Sequence, residues 1–159
     1  MHNFDARHYA YQPRRAWTVA FLLAAMMLVN FLDKVVTGLV AVPMMKELNL
    51  TPAEFGLVGG SLHWLFSISA VVGGFLANRR STRWLLLGMG AFWALVQLPM
   101  LYATSLWTLV ACRVLLGVGE GPASPVATHA LYKWFPDERR SLPVALLHSG
   151  SATGLSLIH

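Results

Sequence analysis

The sequence predicts an all-α membrane protein, with about four complete transmembrane helices and the start of a fifth. Three observations predict it. The 159 residues are 56% hydrophobic and only 12% charged, against about 25% charged in soluble domains. Four apolar stretches reach the roughly 20 residues that a spanning helix needs. The basic residues cluster in alternate connections, as they do in a chain threaded through a bilayer.

The elements follow in order. Residues 1–16 form a polar, basic tail containing Arg7, Arg14 and Arg15. Such a tail before an apolar run is similar to the start of a signal peptide. Here the run continues past Asp33 to Met45, and no small-x-small cleavage site closes a short apolar core. It is read as an uncleaved first helix, 17–45. The second helix is expected over 55–77. Its start is written in the residues before it: Thr51 as N-cap, Pro52 as first helical residue and Glu54 closing a capping box. Leu50 and Phe55 are placed to form the hydrophobic staple. The third and fourth helices are expected over 84–103 and 106–134. A fifth begins at 142. The 18 residues from there to His159 barely cross a core of about 30 Å at about 1.5 Å per residue.

The charges set the orientation. Arg7, Arg14 and Arg15 precede the first span, Arg79, Arg80 and Arg83 follow the second, and Lys133, Arg139 and Arg140 follow the fourth. All fall on one side, and the other side has only Lys46. The positive-inside rule places the N-terminus and these two loops in the cytoplasm. Topology thereby accounts for the net charge of +5, and no nucleic-acid partner is expected. The one cysteine, Cys112, excludes an intramolecular disulfide and reads as a packing residue. Trp17, Trp84, Trp107 and Trp134 lie near span ends and read as an interfacial belt. Gly56-x3-Gly60, Gly117-x3-Gly121 and Gly150-x3-Gly154 permit close helix contacts.

Four ionisable residues stand out: Asp33, Lys34, Arg113 and Glu120. A charge at the bilayer centre costs about 2.5–3.5 kcal/mol or more, so such residues face partners or a water-filled cavity. Arg113 and Glu120 are seven residues apart, almost two helical turns, and point to the same side about 10 Å apart along the axis. Each needs a partner from elsewhere. Asn30 and Thr37 stack one turn either side of Asp33 and Lys34, making a polar stripe on the first helix. With helices one and four facing each other, Asp33 can pair with Arg113, and Lys34 with Glu120. Two readings remain open. The pairs are static glue between helices, or they form an anion-binding and proton-relay site. Gly119, Gly121, Pro122 and Pro125 surround Glu120, and proline interrupts a helix. Interrupted helices at membrane depth point to transporter sites. His63, inside the second span, reads as a packed residue or as a substrate contact. No second ligand stands at metal-binding spacing. No phosphate-binding loop or nucleophile elbow is found, so neither cofactor, metal nor enzyme activity is expected.

Four stretches carry a resemblance. Asn30-Phe31-Leu32-Asp33-Lys34 resembles N-Y-x-D-R, and Gly74 to Arg83 resembles G-x-L-a-D-R-x-G-R-R. Arg113 to Gly121 resembles R-x-x-x-G-x-x-E-a. Trp134 to Arg140, followed by Ser149-Gly150-Ser151, resembles W-F-P-x-x-E-R and S-G-S. The chain is thus similar to the N-terminal part of a major facilitator superfamily transporter, and within it to the anion:cation symporter family. That resemblance implies a partial N-terminal six-helix bundle. It implies proton-coupled symport of an organic anion, a sugar acid or other carboxylate, in a bacterial inner membrane. It assigns proton coupling to Asp33 and Glu120. Substrate binding falls to Lys34 and Arg113, with Asn30 and His63 beside them. It assigns a cytoplasmic conformational latch to Asn78, Arg79, Arg83, Glu138 and Arg139. The partners implied are the organic anion, protons, the lipid bilayer and the remaining helices of a twelve-helix transporter.

This chain departs from the pattern at several positions. Lys34 replaces an arginine, keeping the charge but not the bidentate fork. Phe31 and Phe66 stand for tyrosines, Asn78 for an aspartate and Ser81 for a glycine. A chain ending inside the fifth helix reads as a fragment of such a transporter. The alternative is a small non-transporting membrane protein that oligomerises through its Gly-x3-Gly faces, with the buried charges as structural ion pairs.

Overall fold

The structure is a computed structural model and describes residues 11–156, the last seven of these as backbone only. It is all-helical. Helix α1 spans Pro13–Leu39, α2 Ala41–Glu47, α3 Pro52–Ser61, α4 Phe66–Arg79 and α5 Thr82–Met100. Then come α6 (Leu106–Glu120), α7 (Ala123–Trp134), a 3-10 turn at Asp137–Arg139, and α8 (Ser141–Ser156). Among the described residues, two helical stretches, Pro13–Leu39 and Pro52–Arg79, are long and apolar enough to cross a membrane.

Three of the expected continuous spans are built from two helices each, and each interruption has a local cause. Between α1 and α2 the chain is reset at Val40, whose N–H still bonds the Val36 carbonyl at 3.0 Å. Pro43 lies three residues on and has no N–H to return to Leu39, so the ladder is broken there. Helix α1 also starts four residues earlier than expected, because Pro13 suits a first helical turn. Between α3 and α4 no proline intervenes. Instead His63 N–H bonds Gly60 O and Trp64 N–H bonds Ser61 O, at 3.0 and 3.2 Å. These three-residue steps wind the backbone tighter than an α-helix, and the Ser61 hydroxyl donates to Val58 O at 2.8 Å, a contact that bends helices. Helix α6 ends at Glu120 because Pro122 has no N–H to give to Val118. Pro125 falls in the first turn of α7, where a missing N–H costs little.

The connection before α3 forms as its residues dictate. Asn49 takes a positive φ of 53°, and Leu50 N–H reaches back to Met45 O at 2.9 Å, closing the end of α2. Thr51 then caps α3. Its N–H and hydroxyl both donate to Glu54 Oε2 at 2.8 Å, and Glu54 N–H donates to Thr51 Oγ1 at 3.3 Å. This is the reciprocal capping box expected from the residue types.

Helices approach closely where small residues line both sides. Ala16, Ala20, Leu23 and Met27 of α1 pack with Ala123, Ala127, Ala130 and Leu131 of α7 and Leu147 of α8. Helix α1 lies mainly along α8, and then against α7; it does not pack along α6. The expected facing of the first and fourth helices therefore takes two forms: α7 packs closely on α1, whereas α6 meets it through the long side chains of two ion pairs. A second cluster joins Val58 to Leu109 and Val110, with Leu50 against it. Outward, Phe21, Val29, Ile68, Val71, Phe75 and Leu95 are each at least 60% exposed. That outer surface of large apolar side chains suits lipid rather than water. Trp84 and Trp107 belong to it, whereas Trp17 turns inward and meets Phe135 edge-on at 5.5 Å. Cys112 is buried.

The glycine pairs divide. Gly117 and Gly121 sit against the α3–α4 interruption: a Cβ on Gly117 would collide with the Leu62 carbonyl, and one on Gly121 with Phe66 O and Ser69 Oγ. A Cβ on Gly56 or Gly60 would meet nothing within 4 Å. The Gly150-x3-Gly154 pair lies outside the residues whose side-chain surroundings are described. Gly117→Ala is expected to destabilise the protein by about 1–3 kcal/mol, the usual cost of overpacking. Gly60→Ala is expected to stay within about 0.5 kcal/mol, as open sites do. Thermal unfolding of the two purified variants in detergent checks the contrast.

Candidate functional site

Four α1 side chains, two on α6 and two on α5 form one polar centre. On α1, Asn30 and Lys34 are one turn apart, as are Asp33 and Thr37, so the helix presents them as a stripe. On α6, Arg113 and Glu120 lie on one face two turns apart. Both are 3% exposed, so neither charge is solvated. Helix α1 supplies their partners through long side chains. The Lys34 ammonium pairs with the Glu120 carboxylate. It also donates to Asn30 Oδ1 at 2.9 Å and to the Asn30 carbonyl at 3.3 Å. Arg113 Nη1 stands 3.8 Å from Asp33 Oδ2, a looser pair. Thr37 donates its hydroxyl to the Asp33 carbonyl at 3.0 Å. The structure therefore brings together all four charges in the pairing that their residue types allowed.

Two residues joined the centre without being anticipated. Gln97 Nε2 donates to Asp33 Oδ1 at 2.9 Å, and Trp93 lies beside it on α5. A glutamine within the otherwise apolar third span was the available signal. Phe31 and Phe66, noted only as lacking hydroxyls, flank the Lys34 ammonium with ring centroids at 6.0 and 5.9 Å. At that range a ring face attracts a cation, so the two rings help hold Lys34 in place.

The charges separate two cavities. One, of about 240 Å³, is lined by Lys34, Thr37, Gly38, Phe55, Gly59, Leu62, His63 and Arg113. It carries both bases and neither acid. The other, of about 250 Å³, is lined by Asn30, Asp33, Trp93, Gln97 and Glu120 together with Val29, Gly90, Ala94 and Leu116. It carries both acids and neither base. Asn30 and Trp93 each leave a buried N–H donor without a partner among the described residues, as does Arg113 at Nε. His63 is exposed, packs 6.1 Å from the Phe66 ring and opens on the basic cavity. It belongs to the same centre by position rather than by a polar bond to it.

The loop residues do not assemble into one cluster. Asn78, Arg79 and Arg83 are exposed at and after the end of α4, and Arg83 lies over Trp84 at 5.9 Å. Among the described residues no hydrogen bond or ion pair joins them to Glu138 or Arg139. Those two line a cavity of about 370 Å³ with Tyr11, Trp17 and Phe135, and Arg139 stacks on Tyr11 at 5.4 Å. The neighbouring Arg140 makes the polar contacts. It donates to Phe135 O at 3.1 Å and Tyr132 O at 3.0 Å and pairs with Asp137 at 2.5 Å. It thereby ties down the end of α7.

An all-helical bundle with an apolar exterior and a paired-charge centre between two cavities defines an integral membrane protein. The model of the Major Facilitator Superfamily matches residues 17–158, and the chain belongs to that family, one of transporters rather than enzymes. Among its relatives is a protein named "Probable anion transporter 4, chloroplastic" of Oryza sativa subsp. japonica. It is 34% identical over 151 residues, covering 91% of this chain and 25% of that protein. The "Ascorbate transporter, chloroplastic" of Arabidopsis thaliana is 32% identical over 151 residues, with 91% and 28% covered. The "Sodium-dependent phosphate transport protein 1, chloroplastic" of Arabidopsis thaliana is 33% identical over 158 residues, with 92% and 30% covered. The chain thus spans between 25% and 30% of the length of these relatives.

Removing one member of a buried pair strands the other. Lys34→Met leaves Glu120, whose side chain is 2% exposed, without its counter-charge, and is expected to cost about 3–5 kcal/mol. Adding Glu120→Gln to that variant removes the stranded charge and is expected to recover most of the loss. Denaturant or thermal unfolding of both variants in detergent reads the difference.

Proposed function

We propose that this chain forms part of the N-terminal half of a secondary transporter that moves an organic anion together with protons by alternating access. The anion is a sugar acid or another carboxylate. The observation that carries this reading is the balanced charge centre between α1 and α6, with its bases on one cavity and its acids on the other. Cations supply anion ligands, and Lys34 and Arg113 line a space where a carboxylate meets both. Acids held in pairs with those bases can exchange a proton for a partner, so Asp33 and Glu120 couple proton movement to anion movement. Asn30 positions Lys34, and His63 lines the anion's side.

The spans on this reading are 17–45, 55–77, 84–103 and 106–134, with a fifth from 142. The N-terminus is cytoplasmic and the membrane is a bacterial inner membrane. Helices beyond this chain form the opposite wall of the site, as transporters of this type bind substrate between their halves. The open glycine face of α3 is available to one of those helices. Asn78, Arg79, Arg83, Glu138 and Arg139 act as the cytoplasmic latch in one conformation of the cycle. The relatives' names, which include anion, ascorbate and phosphate, support an anionic substrate.

Proteoliposomes carrying the transporter that contains this segment test the reading. Gluconate, ascorbate and phosphate uptake is measured with and without an inward proton gradient. At least one anion is expected to accumulate only with the gradient. Glu120→Gln is expected to reduce that uptake to the level reached without a gradient, while Lys34→Gln weakens apparent anion affinity. Gradient-driven accumulation that survives Glu120→Gln removes the coupling role.

A further inference from the structure

The acid-lined cavity between α1, α5 and α6 is separate from the basic one, and its polar atoms do not suit an anion. Asp33 and Glu120 line it, with Trp93 and Gln97 from α5 and Asn30 from α1. Lys34 and Arg113 pair with those two acids but line the other cavity. Three buried atoms on the acid side have no hydrogen-bond partner among the described residues. Asn30 Nδ2 and Trp93 Nε1 are donors, and Asp33 Oδ2, whose nearest cation is Arg113 Nη1 at 3.8 Å, is an acceptor. Asn30 is only 6% exposed, so bulk water does not satisfy it. An anion would take the two donors but meet two carboxylates. A metal cation would take the carboxylates but meet two N–H groups. Water accepts from the donors and donates to the carboxylates, and so matches at once every atom that lacks a hydrogen bond.

We propose that this cavity is a hydrated proton-access pocket that serves Asp33 and Glu120 from the α5 side, apart from the space that holds the anion. The role rests on the proton-coupled reading above. Trp93 and Gln97 are its positioning residues. Gln97 fixes Asp33 Oδ1, while Oδ2, held only by the loose ion pair with Arg113 at 3.8 Å, can still accept from water, and Trp93 anchors water through its indole N–H. The fold thus delivers protons to the acids from one side and the anion to the bases from the other. Each reaches the ion pairs at the group of opposite charge, without passing the group of like charge.

Thiol labelling in membranes tests the pocket without any transported substrate. In a Cys112→Ala background, cysteine is placed singly at Gly90 in the acid cavity, at Gly59 in the basic cavity and at Leu95 as a lipid-facing control. A Cβ at Gly90 or Gly59 meets nothing within 4 Å, so both substitutions fit, and Leu95 is 64% exposed. Cationic aminoethyl methanethiosulfonate is expected to label Gly90→Cys about fivefold faster than the anionic sulfonatoethyl reagent, as nearby unit charges dictate. The order reverses at Gly59→Cys. Asp33→Asn narrows the preference at Gly90→Cys. Labelling of Gly90→Cys as slow as Leu95→Cys with both reagents overturns the hydrated pocket, and so does an anionic preference there. Proton uptake after a pH step, read with an indicator dye on the purified protein, tests the route itself. Trp93→Phe is expected to slow it several-fold, and an unchanged rate overturns the route. If the parent protein takes up no protons while the labelling pattern holds, the coupling reading fails and the hydrated pocket stands.

Discussion

Two charges on α6 cannot stand alone, and much of the bundle answers to that constraint. Arg113 and Glu120 are both 3% exposed, and an unpaired charge at such depth would be expelled or neutralised. Helix α1 must therefore turn Asp33 and Lys34 toward α6, although its backbone lies along α8 and α7 instead. Long side chains bridge the gap that the backbones leave, and the gap becomes the two cavities. The ion pairs thus do two things at once. They keep α1 in register with α6, and they hold apart the spaces on either side of them.

Close packing elsewhere lets that centre exist. Gly117 and Gly121 admit the carbonyls of Leu62 and Phe66 against α6, so the interrupted segment between α3 and α4 docks where a side chain would block it. Ser69, on α4, donates to the Gly117 carbonyl at 3.3 Å. The end of α6 at Glu120 follows from Pro122, and it leaves the glutamate at a helix terminus rather than inside a continuous rod. Interrupted backbone in a membrane protein is tolerated where protein buries it, and here the Leu62 and Phe66 carbonyls flanking the α3–α4 break are covered by Gly117 and Gly121.

On the proposed reading, the site separates its cargoes by charge. The Lys34 ammonium is held by Glu120, Asn30 and two aromatic rings, so it is positioned without the bidentate geometry of an arginine. Arg113 and Asp33 are the looser pair at 3.8 Å. That asymmetry makes Asp33 and Arg113 the easier pair to separate when an anion or a proton arrives, with Gln97 ready to keep the Asp33 carboxylate in place.

Several parts of this arrangement were legible in the residues. Apolar length marks the helical stretches, because a helix facing lipid needs an apolar exterior. Thr51, Pro52 and Glu54 specify the start of α3 through contacts only three residues apart. The charge quartet and its pairing followed from helical spacing and the need for neutrality. Pro122 announced the end of α6. Tertiary structure decided what depends on neighbours distant in the chain. The interruption at residues 62–65 has no proline behind it, and it makes sense only against Gly117 of α6. Gln97 and Trp93 became part of the centre because α5 packs beside α6, which no local pattern on α5 encodes. Arg140 rather than Arg139 holds the end of α7, because Arg139 closes the 3-10 turn and Arg140, the residue after it, reaches back to Tyr132 and Phe135. The sequence by itself determined which groups need partners, since charge and backbone chemistry are local. Only the fold decided which partners they found and on which side of each pair a cavity opened, since that depends on how closely the helices approach.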